Sequence, residues 1–195
     1  MTKADHPSSQ LSPLDPQRPR AEPSSFVPRP SSLAYRARQF FAALRAQVSP
    51  AEQALVAATL TPAEHYLFTA MPIYDQRHCL DVYATLIAAG HTDPLLLRAA
   101  IIHDCGKVDD RGRPMPLLWY VAATVLKGRP GLYLAAARLG GPLAPIAVYA
   151  EHAARGARMA HAAGSPPELV ATIRHYHDPA PTGRAAVLKW ADEQH

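Results

Sequence analysis

The chain has little cysteine. Cys79 and Cys105 are its only two, and they form no CxxC pair. That excludes a disulfide framework and a zinc ribbon, and it fits a reducing cytoplasm. Charge is also scarce, at 18% of residues, and aromatics make up 7%, while hydrophobic residues reach 48%. A packed core is therefore attainable, and many alanines and leucines with few aromatics lean towards helix. No apolar run is long enough to span a bilayer. The longest, "PLLWYVAATVL" at 116–126, stops at Lys127-Gly128-Arg129-Pro130. A spanning helix needs about 20 residues, so this run reads as a buried or surface-docked helix. The N-terminus lacks the apolar core of a signal peptide. Nor is there a continuous basic stripe. The net charge is +4, but residues 1–38 carry six basic and three acidic side chains, against fourteen and thirteen in 39–195. Nucleic acid is not an expected partner.

What is present divides the chain in two. Residues 1–32 hold seven of the twenty prolines, many serines and few large apolar groups. They bury too little surface to offset ordering entropy, which predicts a disordered tail. From Leu33 onward the apolar spacing is helical, with Leu33, Ala37, Phe40, Phe41 and Leu44 on one side. Ser49-Pro50-Ala51-Glu52 reads as an N-cap, a proline at N1 and a glutamate at N3, and Thr61-Pro62-Ala63-Glu64 repeats it. A helix is predicted over 75–89, with Leu80, Tyr83, Ala84 and Ile87 inward and Gly90 ending it. Asp93-Pro94 starts another that runs through "LLLRAAIIHD" to Gly106. Further helices are expected at 116–127, 131–139, 143–163, 166–176 and 183–194. No run alternates with period two and no internal repeat is present. The expected fold is all-α, an irregular bundle of about eight to ten helices over 33–195.

Histidines and acids recur where helices face that core. His78 is mid-helix among apolar neighbours, and His103 with Asp104 closes a helix. His152 opens "EHAARGARMAHAAG", His175 and His177 lie in "IRHYHDP", and Asp192 lies in the last helix. Any one of these alone reads best as a hydrogen-bonded core residue. As a set they are the ligand types that suit manganese, iron, nickel or zinc. Adjacent residues on a helix point about 100° apart, so a His-Asp pair can flank one cavity. The imidazole can take one ion while the carboxylate bridges to a second.

His78, the His103-Asp104 pair and Asp192 match the order H…HD…D of the HD-domain metal-dependent phosphohydrolases. The resemblance covers about residues 60–194. "LLLRAAIIHDCGK" resembles the family's signature helix and H-D-x-G-K turn, "DQRHCLDV" resembles the helix supplying the first histidine, and the 25-residue spacing from His78 to His103 is typical. His152 with Gly156, in "EHAARG", is similar to the H-x-x-x-G element of domains that hydrolyse cyclic dinucleotides. "IRHYHDP" is similar to the paired histidines that follow it, but Tyr176 intervenes, so either His175 or His177 is the ligand, with His175 favoured. The G-Y-P element is absent, since "DPAPTGR" follows, which argues against a strict cyclic-dinucleotide phosphodiesterase.

The resemblance implies one or two divalent transition-metal ions held by His78, His103, Asp104, His152, His175 or His177, and Asp192. It implies hydrolysis of a phosphate ester of a nucleotide or similar small molecule by a metal-activated hydroxide. Lys107, one turn beyond the pair, is a candidate for the cation assisting at phosphorus; its alternative is a surface lysine at a helix C-terminus. Arg77 is a weaker candidate. Asp75 and Asp81 flank His78 at three-residue spacing, as orienters of its imidazole or as exposed carboxylates. Cys105 reads as a small core filler, and His6, His65, His91, His161 and His195 as surface residues. Two rival readings use the same ligands: an HD-type di-iron oxygenase, and a non-catalytic metal- or nucleotide-binding regulatory domain.

Overall fold

Proline-led caps set the first helices. The computed structural model describes residues 46–109, 112, 113, 115–139 and 141–195. The tail over 1–32 and most of the helix expected from Leu33 lie outside them. Helix α1 (Pro50–Thr59) opens on Ser49, whose hydroxyl accepts from the Glu52 N–H while Glu52 accepts from the Ser49 N–H. Helix α2 (Pro62–Ala70) repeats this capping box with Thr61 and Glu64. Both satisfy N–H groups that would otherwise lack a partner. Helix α3 (Ile73–Ala88) is followed by Gly90, whose φ of +83° is the left-handed value glycine adopts at least cost. Asp93 caps α4 (Pro94–Ile102) through the N–H groups of Leu95 and Leu96.

Helix α4 is the central element. Leu96, Leu97, Ala99, Ala100, Ile101 and Ile102 are all buried. It ends earlier than the sequence predicts. His103 and Asp104 form a turn, and Cys105–Lys107 is a short 3-10 segment rather than a continuation to Gly106. Then follow α5 (Leu117–Lys127), α6 (Pro130–Leu139), a 3-10 turn at Gly141–Leu143, α7 (Ala144–Ala162), α8 (Pro167–His175) and α9 (Gly183–Asp192). The described residues hold nine α-helices and no strand, an all-α multi-helix bundle. No single helix among them is long and apolar enough to cross a membrane.

Helix α4 packs between α3 and α8, α9 closes over α3, α4 and α8, and α7 lies across α8 and the 3-10 turn. That last contact depends on two glycines. A Cβ on Gly106 would come 2.0 Å from the His152 carbonyl oxygen and 2.4 Å from the Gly156 nitrogen. Only glycine at 106 lets the α7 backbone rest on the turn and carry His152 to the His103-Asp104 pair. The inward face of α3 differs from the expected one. Asp75, Cys79, Leu80, Val82 and Leu86 are buried, whereas Ala84 and Ile87 are exposed. Helix α3 is rotated so that Cys79 and Val82 lie in the core, with Tyr83 half-buried against it and Ala84 outside.

Glu64 joins three parts of the bundle. It is fully buried, accepts from Arg98 Nε at 3.1 Å and Nη2 at 2.6 Å, and accepts from the Ser165 hydroxyl at 2.6 Å. Burial pushes its pKa up. Arg98, Ser165 and the Thr61 N–H outweigh that and hold it below the ordinary 4.5. Its stabilising effect is therefore complete above the unfolded value and is lost as pH falls through the folded one. Glu64→Gln should lower unfolding free energy at neutral pH by about 3 kcal/mol in urea titrations, the scale of a broken buried ion pair. The gap between the two proteins should narrow as the pH drops below 4.5.

Candidate metal centre

The turn after α4 brings the central pair to the middle of the bundle. His103 and Asp104 are both buried. The His103 Nδ1–H donates to the Ala100 carbonyl at 2.9 Å, three residues back. Its Nε2 therefore faces the interior, and that atom is buried with no hydrogen-bond partner. Around it stand Asp104 Oδ2 at 3.6 Å and Asp192 Oδ1 at 3.7 Å. His78 Nε2 lies 2.9 Å from Asp192 Oδ1 and 3.7 Å from Asp104 Oδ2. Donors about 2.0–2.2 Å from one tetrahedral ion are roughly 3.4 Å apart, so four atoms from three helical segments stand at ligand spacing. His78, His103 and Asp192 each offer an atom within 4.8 Å of the others.

Cys79 also approaches His103, but at 3.6 Å from Nδ1, the edge already bonded to Ala100. Burial pushes its thiol pKa up, which keeps it a neutral neighbour of the ring. Cys105 is buried with its thiol pKa likewise raised by burial, as a core filler should be.

The second oxygen of Asp104 faces another histidine. His152 Nε2 is 3.5 Å from Asp104 Oδ1. Its Nδ1–H donates to the Tyr149 carbonyl at 2.6 Å, again three residues back, so Nε2 carries the lone pair. Burial, reinforced by nearby Lys107 and His177, pushes the His152 pKa down to about 3, so it is neutral as a ligand must be. His177 Nε2 lies 3.1 Å from His152 Nε2. The structure thus brings His177 to the cluster and not the favoured His175. The latter is 53% exposed and bonds Asp178 through Nδ1 at 2.8 Å. Helix α8 ends at His175, and the following turn buries Tyr176 and sets the His177 ring, exposed on its outer side, against His152.

Electrostatically the cluster attracts positive charge. Burial alone would raise the pKa of Asp104, but Lys107 and the surrounding imidazoles hold it far below the carboxylate range. Asp192 is held low against burial by hydrogen bonding to His103 and His78. Burial should lower the His103 pKa, yet the Asp104 charge raises it well above the usual value. Buried carboxylates that draw a proton onto an imidazole are suited to a cation. The residues present therefore fit a transition metal with nitrogen and oxygen ligands.

Lys107 is buried, which excludes the surface reading. Its Nζ donates to Asp104 Oδ2 at 2.5 Å and to Asp75 Oδ1 at 3.4 Å, and lies 5.1 Å from the Tyr120 ring centroid. Asp75 serves this lysine and accepts from the Tyr120 hydroxyl, so it does not orient His78. Arg77 bonds Glu52 and Asp81, tying α1 to α3 away from the centre. Of the histidines taken as surface residues, His161 and His195 are exposed and His65 and His91 are half-buried. The sequence reading missed Tyr176, which is fully buried with its hydroxyl 2.7 Å from His152 Nε2. An aromatic between two histidines at a helix end was the available signal. No family model, curated protein or solved structure matches the chain.

His177→Ala should lower the bound metal of anaerobically loaded protein, read by elemental analysis, while His175→Ala should leave it unchanged. The reverse pattern would mean that the chain end after α8 turns the other way when an ion is bound.

Proposed function

We propose that the chain is a metal-dependent phosphohydrolase of the HD-domain type, cleaving a phosphate ester of a nucleotide or similar small molecule. One observation carries the reading: Asp104 offers one oxygen to the His78–His103 side and the other to His152. A carboxylate between two imidazole groups is what a paired-metal site requires. His78, His103, Asp104 and Asp192 would hold a first ion, and Asp104, His152 and His177 a second.

When bound, one or two divalent ions of manganese, iron, nickel or zinc supply Lewis acidity, making water nucleophilic near neutral pH and offsetting charge on phosphoryl oxygens. The chain's own residues do the rest. The backbone carbonyls of Ala100 and Tyr149 fix the tautomers of His103 and His152 before any ion arrives. His78 and Asp192 are half-buried while His103 and Asp104 are buried, so the cluster opens along the His78–Asp192 edge, where a phosphate ester would enter. Lys107 adds fixed positive charge beside the shared carboxylate, where negative charge develops at phosphorus. Asp75 and the Tyr120 hydroxyl hold that ammonium in place.

The test is release of phosphate or alcohol from a panel of phosphomonoesters and phosphodiesters by anaerobically loaded protein. Asp104→Asn should lower the rate about 100-fold or more and reduce bound metal, with helicity unchanged. Oxygen uptake without phosphate release would replace this reading by the HD-type oxygenase. Bound metal with neither activity would leave a regulatory domain.

A further inference from the structure

The function above leaves one part of the bundle unused. Helices α5 and α6 pack on each other and on α7, yet they carry six of the ten exposed large apolar side chains among the described residues. Leu118, Val121 and Val125 follow at helical spacing on one face of α5, with Leu118 73% and Val125 58% exposed. On α6, Leu132 is 54% and Leu139 is 74% exposed, seven residues apart on one side, and Leu134 is exposed on another. Among the described residues of this hairpin, only Ala123 and Ala136 are buried apolar residues. Single exposed apolar side chains are ordinary, but six within 22 residues are a concentration that calls for a cover.

Charge narrows what that cover is. From 111 to 150 the chain has no aspartate or glutamate, while Arg111, Arg113, Lys127, Arg129 and Arg138 fall within it. Among the described residues from Glu52 onward, no other stretch of this length lacks an acid. Arg129, at the turn between the helices, and Arg138, near the end of α6, are exposed. Arg113 is engaged by Asp109 at 2.8 Å. Exposed leucines and valines beside arginines, with no acid among them, complement an apolar layer edged by negative charge. A two-fold contact of this face with a second copy would bring its arginines together with no acid of the segment to offset them.

We propose that the α5–α6 hairpin docks on the surface of an anionic lipid bilayer, seating its exposed leucines and valines at the headgroup boundary and its arginines against lipid phosphates. No helix need cross the membrane. A cavity of about 400 Å³, lined by Trp119, Met115, Pro116, Val148 and Lys107, lies at the base of the same hairpin. The docked face would thus stand beside an apolar chamber that reaches Lys107. The inference does not rest on the phosphohydrolase reading, since docking is measured without turnover.

The full chain should co-sediment with vesicles of phosphatidylcholine and phosphatidylglycerol, weakly with phosphatidylcholine alone, and less as salt is raised. Leu118→Asp combined with Leu132→Asp should weaken binding to the anionic vesicles about tenfold or more, with circular dichroism and metal content unchanged. Arg129→Glu with Arg138→Glu should weaken it too, and only where the lipid is anionic. Equal sedimentation of the wild-type chain and the leucine variant would overturn the proposal, because any binding would then come from another part of the chain. So would a wild-type dimer that ignores vesicles and becomes monomeric in the leucine variant, which would assign the face to a second copy.

Discussion

The buried negative charge of Asp104 is the constraint around which the bundle is arranged. Taking a carboxylate out of water costs several kcal/mol unless it is paired and hydrogen-bonded. Lys107 provides the pairing at 2.5 Å, three residues along the same turn. The lysine is then itself a buried cation, and its surroundings come from separate helices: Asp75 from α3, and the rings of Tyr120 from α5 and Tyr149 from α7. One buried charge thus propagates into contacts that tie three helices to the turn.

The arrangement needs a backbone approach that few side chains permit. Gly106 and Gly156 face each other across α7 and the turn, and the Gly156 position is 3.3 Å from both Gly106 N and His103 O when a Cβ is placed there. Arg155 fastens the contact from the side, donating to the carbonyls of Gly106 at 3.2 Å and Val108 at 2.8 Å. These carbonyls follow the end of α4 and have no intrahelical partner, so the guanidinium satisfies groups that burial would otherwise leave unpaired. The spacing of His152 and Gly156 in the sequence has a direct physical meaning here. One turn of α7 separates the imidazole that reaches Asp104 from the bare backbone that lets it do so.

Features written into local sequence were legible before the fold was seen. Both capping boxes, the Asp93 cap, the Gly90 stop and the helices from 116 onward follow from short-range chemistry, and they occur within a residue or two of where they were expected. What required tertiary packing was not legible. The alternatives for α3 both have helical spacing, and only the position of α4 decides that Cys79, Val82 and Leu86 turn inward. Asp75 was placed near His78 by spacing, yet its partners are 32 and 45 residues away in sequence. His175 and His177 differ only in which side of a helix end they occupy, and that depends on where α8 stops. Trp190, the largest apolar side chain of α9, is 44% exposed, and the smaller Ala185, Leu188 and Ala191 anchor the helix, which composition alone does not reveal.

Asp192 shows how the last helix serves the same centre. A carboxylate in the final turn opposes the helix macrodipole and sits where helices fray. Here the penalty is offset by the His78 N–H, which donates to Asp192 Oδ1 at 2.9 Å, with His103 beyond it. Leu188 and Ala191, both fully buried, hold the turn against the bundle. The positions of Asp192 and Asp104 then account for the state of the histidines. Two carboxylates held in the ionised form create a demand for positive charge that Lys107 meets at Asp104, leaving the Asp192 side to the imidazoles. Because His103 and His152 have already committed their Nδ1–H groups to backbone carbonyls, the atoms facing that demand are their Nε2 nitrogens. The fold therefore orients its nitrogen donors and holds its carboxylates charged through contacts within the chain, before any ion takes part.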